Sequence, residues 1–178
     1  MVAAVIDTNV LLVANGSHPG VSPECQEACV RRLLVHKQSG VTVIDSGYLI
    51  LSEYQNRIRS NQSKRVGDVF LKWLLQNKSN SARVHQVELN ESRGNTFVEF
   101  PDTELQARFD PSDRKFVAVA HAHPDQPPVW QAVDSKWLDW WPNLLKMGVK
   151  VEFLCQADVR KFYRKKFPER TVPEFPEA

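Results

Sequence analysis

The sequence predicts an α/β fold: a three-layer sandwich in which helices cover both faces of a mostly parallel central sheet of about five strands. Three observations carry that expectation. Short apolar, β-branched runs alternate along the chain with longer stretches whose apolar residues recur at helical spacing. Alternation of this kind gives parallel strands joined by covering helices. Two of the strand-length runs also lead directly into an aspartate, Asp7 and Asp134. Sheets of this kind gather functional groups beyond the carboxyl ends of their strands.

Val2 to Ile6 is the first such run and stops at Asp7. Pro23 to His36 carries Cys25, Ala28, Cys29, Arg32 and Leu33 at helical spacing, with Ser22 placed as cap, Pro23 in the first turn and Gly40 past the end. Val41 to Ile44 reads as a second strand. Asp45 or Ser46 then caps a helix from about Gly47 to Arg59, with Leu49, Ile50 and Tyr54 on its apolar side. A polar break at Asn61 to Ser63 precedes a helix over Val66 to Gln76. Val84 to Leu89 alternates as a strand does. Residues 90–100 carry no clear period, and Glu91 to Asn95 reads as surface loop. Asp113 to Ala122 is a strong helix, Pro124 to Pro128 a stop, and Val129 to Val133 a strand running into Asp134. Trp137 to Met147 reads as helix despite Pro142, Val149 to Leu154 as the last strand, and Ala157 to Phe167 as a basic helix. Residues 1–167 are expected to form one domain. Residues 168–178, with three prolines and no period, read as a flexible tail.

With 42% hydrophobic residues, a chain of 178 has enough apolar surface for a core without staples. No apolar run reaches the roughly 20 residues of a membrane span. The opening MVAAVIDTNVLL lacks a basic start and a cleavage site, so it reads as a buried strand and the expected compartment is the cytoplasm. Cys25 and Cys29 sit one helical turn apart and Cys155 lies in an apolar run. Reduced core thiols are expected here, rather than a disulfide or a zinc site. The net charge of +2 says little about partners. Two basic clusters say more: Arg57, Arg59, Lys64 and Arg65, and then Arg160, Lys161, Arg164, Lys165 and Lys166. Each is either a phosphate-neutralising surface or a solvated helix face.

Four acids draw attention, and each has an ordinary explanation. Asp7 could cap a following helix. Glu53 could be a surface residue. Asp113 follows Asp110 and Pro111, a natural cap and first helical residue, and would sit in a first turn where the helix dipole favours it. Asp134 could be a turn residue. Together they ask for a coincidence, because two strand-end acids and two helix acids converge on one crevice. Crowded carboxylates repel unless a cation lies between them. An oxygen-only donor set selects Mg²⁺ or Mn²⁺.

The segments VIDTNVLL, YLILSEYQNRI, DRKFVAVAHA and AVDSKW, in that order and spacing, resemble the four motifs of PIN-domain nucleases. The resemblance spans about residues 2 to 154 and places the family's acids on Asp7, Glu53, Asp113 and Asp134. It implies a metal-dependent endoribonuclease acting on single-stranded RNA. Asp7, Asp113 and Asp134 would hold Mg²⁺ or Mn²⁺, Glu53 would orient the water, and Asn9 would support the first aspartate or cap the helix. Many similar chains are toxins of toxin–antitoxin pairs, so a small antitoxin and a second copy of the chain join RNA as candidate partners. Arg57 and Arg59, beyond Glu53 on one predicted helix, and Lys136 are the expected phosphate contacts. Lys136 is also a departure, since the family often carries a second acid there; Asp139 is acidic but displaced. Two alternatives stand beside this reading. One is a PIN fold that binds RNA or protein without cutting. The other is a metal-dependent DNA nuclease or phosphatase on a related fold. His121 and His123, two apart at a helix end, point different ways and make a poor zinc pair. Trp130, Trp137, Trp140 and Trp141 read as packing residues before base-stacking ones.

Overall fold

The computed structural model describes residues 1–58 and 64–178. The expected phosphate contact Arg59 and the polar break at 61–63 lie outside the described residues. Among the described residues a single five-stranded sheet has the order β3-β2-β1-β4-β5. Its strands are β1 (Ala3–Ile6), β2 (Val41–Asp45), β3 (Val84–Val87), β4 (Val129–Gln131) and β5 (Val151–Phe153). All neighbours are parallel, with Ala3 opposite Val41, Val5 opposite Val129, Thr42 opposite Val84 and Val129 opposite Val151.

Among the described residues, eight helices connect and cover the sheet: α1 (Thr8–Ala14), α2 (Pro23–Ser39), α3 (Leu49–Arg57), α4 (Val66–Asn77), α5 (Thr103–Arg108), α6 (Arg114–Ala122), α7 (Trp137–Lys146) and α8 (Gln156–Lys166). Helices α1, α2 and α4 pack on one another, while α6 lies across β1, β2 and β4. The chain steps one way from β1 to β3, then returns past β1 to β4 and β5. Right-handed crossovers in opposite directions put their helices on opposite faces, giving three layers. Both faces are buried, and Ala4, Val5, Ile6, Ile44 and Val129 are fully enclosed.

Local chemistry sets the boundaries. Ser22 accepts a hydrogen bond from the Cys25 N–H and Pro23 occupies the first turn of α2. Asp45, the last residue of β2, accepts from the N–H groups of Leu49 and Ile50 at 2.8 and 2.9 Å, so it caps α3 across a tight turn. Tyr48 makes that turn with φ of 61°, in the left-handed region. Asp102 caps α5, accepting from the Leu105 N–H at 2.8 Å; this short helix falls after the stretch that carries no period.

Two features differ from the sequence expectation. The cysteines are not all reduced: Cys25 and Cys155, 130 residues apart, form a disulfide, and Cys29 is the free thiol. The pairing arises because Cys25 in the first turn of α2 meets Cys155, the residue preceding α8, a contact that no local pattern encodes. Residues 168–178 have no helix or strand, yet they lie against the domain. Phe175 meets Phe153 edge-on with centroids 5.2 Å apart, and the Trp141 indole N–H donates to the Glu174 carbonyl at 2.9 Å. No described helix is long and apolar enough to cross a membrane.

Candidate active site

Strands β1 and β4 are neighbours from which the chain departs in opposite directions, so their carboxyl ends flank a switch-point crevice. Asp7 follows β1 and caps α1, its Oδ1 accepting from the Asn9 N–H at 2.9 Å. Its Oδ2 accepts from Gln131 Nε2 at 2.6 Å. Gln131 Oε1 in turn accepts from Asn9 Nδ2 at 2.7 Å, and Asn9 Oδ1 accepts from the Ala132 N–H at 2.9 Å. Asn9 and Gln131 thus form a closed clamp that fixes the Asp7 carboxyl group. The Asn9 side chain reaches Asp7 through Gln131, while its backbone N–H donates to the Asp7 cap. Gln131 was not singled out in the sequence, although a lone amide in the apolar strand VWQAV was a usable signal, since a buried polar side chain needs partners.

Glu53, on α3, accepts from Thr8 Oγ1 at 2.6 Å and forms an ion pair with Lys115, which also donates to the Ser112 carbonyl. Asp113 stands at the start of α6 with helical backbone and makes no capping hydrogen bond. Asp110, expected to cap that helix, instead forms an ion pair with Lys136 at 2.5 Å. Its carboxylate is therefore part of the site region, and the Lys136 ammonium expected at a phosphate is engaged within the protein. Asp134, three residues past β4, accepts from the Lys136 N–H at 3.1 Å.

Asp7, Glu53, Asp113 and Asp134 line one cleft of about 980 Å³, together with Asp110 and Lys115. Burial raises the Asp7 carboxyl group to about 7, helped by Asp134 and Glu53 and opposed by the hydrogen bonds from Asn9 and Gln131. Asp113 is pushed up to about 9 by burial and by Asp7, Asp134 and Asp110, with Lys115 opposing. Asp134 is raised too, mainly by burial. Lys136 is raised, chiefly by its hydrogen bond to Asp110. A protein that keeps several carboxyl groups in mutual repulsion and out of water has built a place where a cation would relieve both costs. The donors are all oxygens, which suits a hard divalent ion.

Arg57 also lines the cleft, as its position four residues beyond Glu53 predicts. The C-terminal basic helix reaches the same cleft through Lys165 and Lys166, with His18 and Phe162 beside them. Asp139 lies elsewhere, accepting from the Tyr163 hydroxyl at 2.7 Å. His121 and His123 do point apart: His121 contacts the Glu99 carbonyl, and His123 stacks on His85 with centroids 5.1 Å apart. Trp130 and Trp137 are core residues, and Trp140 packs on Phe109. No protein-family model matches this chain, and no curated protein or solved structure matches it either.

Proposed function

We propose that the chain is a metal-dependent nuclease with the acid arrangement of PIN domains, hydrolysing phosphodiester bonds and cutting single-stranded RNA internally. One observation carries the reading: four carboxylates from four separated segments meet in a single cleft, where burial and repulsion hold Asp7 near 7 and Asp113 near 9. Asp7, Asp113 and Asp134 would hold Mg²⁺ or Mn²⁺. That ion, when bound, supplies Lewis acidity at the phosphate and acidifies a water. The chain's own residues do the rest. The Asn9–Gln131 clamp fixes the direction of the Asp7 carboxylate. Thr8 and Lys115 hold the Glu53 carboxylate in the cleft, where it would serve as proton acceptor. Arg57 offers a positive charge to a phosphate.

The resemblance extends the proposal to the toxin of a toxin–antitoxin pair, with a small antitoxin or a second copy of the chain as protein partner. The cytoplasm is the compartment proposed with it, and there the Cys25–Cys155 pair would be held reduced. A second reading, a PIN fold that binds without cutting, draws on Lys136, which stands where the fourth motif often has an acid and which neutralises Asp110. Cleavage assays separate the two. Purified protein should cut single-stranded RNA with Mg²⁺ or Mn²⁺ and stop in EDTA; undiminished cutting in EDTA would sink the metal mechanism. Metal-dependent cutting of DNA alone would move the substrate, and no cutting of either would favour the binding module.

A further inference from the structure

The cleft that holds the acids is also lined by a group of residues that the proposed chemistry leaves unused. His18 stands on the loop between α1 and α2, which turns on Gly16 and Gly20 with φ of 69° and 75°. Its ring lies 5.8 Å from that of Phe162 on α8, the planes inclined by 59°. Lys165 and Lys166 follow Phe162 by three and four residues, so helical spacing puts them beside that ring. All four line the cleft. Asp134 lines the same cleft, so the wall these residues make and the acids share one space.

The wall is also anchored. The Ser22 N–H and hydroxyl donate to the Asp158 carboxylate at 2.7 and 2.6 Å. Lys161 donates to the Gly20 carbonyl at 2.9 Å, and the Cys25–Cys155 bond ties α2 to the start of α8. These ties hold α8 against the very loop that carries His18.

We infer that this wall is a nucleotide subsite: an unpaired base of the substrate stacks on Phe162 and His18 while Lys165 and Lys166 hold the adjoining backbone phosphates. The inference rests on the nuclease reading of the same cleft and adds how that cleft grips its substrate. An acidic floor alone repels a polyanion, and the lysines offset that repulsion. Aromatic faces accept any base, because every base has a π-face, but only a base free of its duplex can reach them. The subsite therefore selects single strands with little regard to sequence.

The test measures binding of a fluorescein-labelled single-stranded RNA octamer to the full chain in Ca²⁺. Wild type is compared with Phe162→Leu and His18→Ala, using RNAs that each carry one abasic residue. Phe162→Leu should weaken binding about tenfold, the order that loss of one base stack produces. At one RNA position the abasic residue should cost wild type a similar factor and cost Phe162→Leu almost nothing more. His18→Ala, on a surface loop, should show a smaller loss coupled to the same position. Losses that simply multiply at every position, or variants that bind like wild type, would overturn the subsite. Cleavage in Mn²⁺ is read separately: wild-type protein that shows the coupling yet cuts nothing supports the subsite and overturns the nuclease reading.

Discussion

Asp7 and Asp134 reach the cleft because β1 and β4 end there, whereas Phe162, Lys165 and Lys166 reach it because side chains tie α8 to a part of the chain some 130 residues earlier. Asp7 and Asp134 are positioned by sheet geometry, and the Asp7 carboxyl group is then fixed by the Asn9–Gln131 clamp. The cationic wall depends on a disulfide, the Asp158–Ser22 pair and the Lys161–Gly20 contact. A floor built from strand ends should tolerate loss of the wall, and a wall built from ties should loosen without disturbing the floor.

The largest effects should come from the floor itself. Asp7→Asn and Asp113→Asn keep the shape of the side chain and lose its charge. Each should lower cleavage by about 100-fold or more, the order seen when a group that stabilises transition-state charge is removed. A steady-state assay beside a thermal melt checks that the fold survives. Should Asp113→Asn cut like wild type while Asp110→Asn is dead, the roles of that pair are exchanged. Gln131→Leu should come next. It leaves Asn9 Nδ2 without its acceptor and Asp7 Oδ2 without its donor, and it should weaken Mn²⁺ binding by about 10–100-fold, as loss of a hydrogen bond to a metal-holding side chain does. Unchanged Mn²⁺ affinity would mean that the clamp is structural only.

The same contrast explains what could be read in the sequence. The α/β sandwich was legible because each strand and most helices carry their own period and caps, as with Ser22-Pro23 at the start of α2. Asp7, Asp113 and Asp134 were legible because a strand end or helix start fixes where each one lies, and Glu53 because it falls at helical spacing within α3. Asp110 was misplaced because the Asp-Pro pattern is a good cap signal; its carboxylate found a stronger partner in Lys136, 26 residues away. The disulfide, the Lys115–Glu53 pair and the His18–Phe162 contact join residues far apart in sequence, and no single-segment pattern encodes such pairings. Helix α5 was missed because six residues give too little period to detect.

Breaking the ties sharpens the comparison further. Cys155→Ser removes the disulfide and leaves Cys25 and Cys29 a helical turn apart on α2. The RNA KM should rise about tenfold, the scale of one lost base stack, while Mn²⁺ affinity stays put; the melting temperature should fall too. A matched fall in Mn²⁺ affinity would show floor and wall to be one unit.

The smallest effect is in pH. The folded state holds Asp7 near 7 and Asp113 near 9, both above the value of 3.8 in a solvated chain, so the metal-free fold keeps protons that the unfolded chain has released. Stability from these groups is therefore present at low pH and lost as pH rises toward 9. His36, held down at about 4 mainly by burial, works the other way below 6.5, because the unfolded chain takes up its proton first. Between pH 7 and 9 the acids act without it. Metal-free wild type should melt at lower temperature as pH rises across that interval, and Asp113→Asn should flatten the fall. Parallel curves for the two proteins would contradict the placement of Asp113.

The central claim is that these carboxylates form one cation site, and Mn²⁺ titration by calorimetry in buffers of different ionisation enthalpy tests it most directly. At pH 7.5 the wild type should bind Mn²⁺ and release protons as it does so, because the raised Asp113 must ionise. Asp113→Asn should bind at least about tenfold more weakly with less proton release. Equal affinity and equal proton release in the two proteins, or no binding in wild type, would contradict the account.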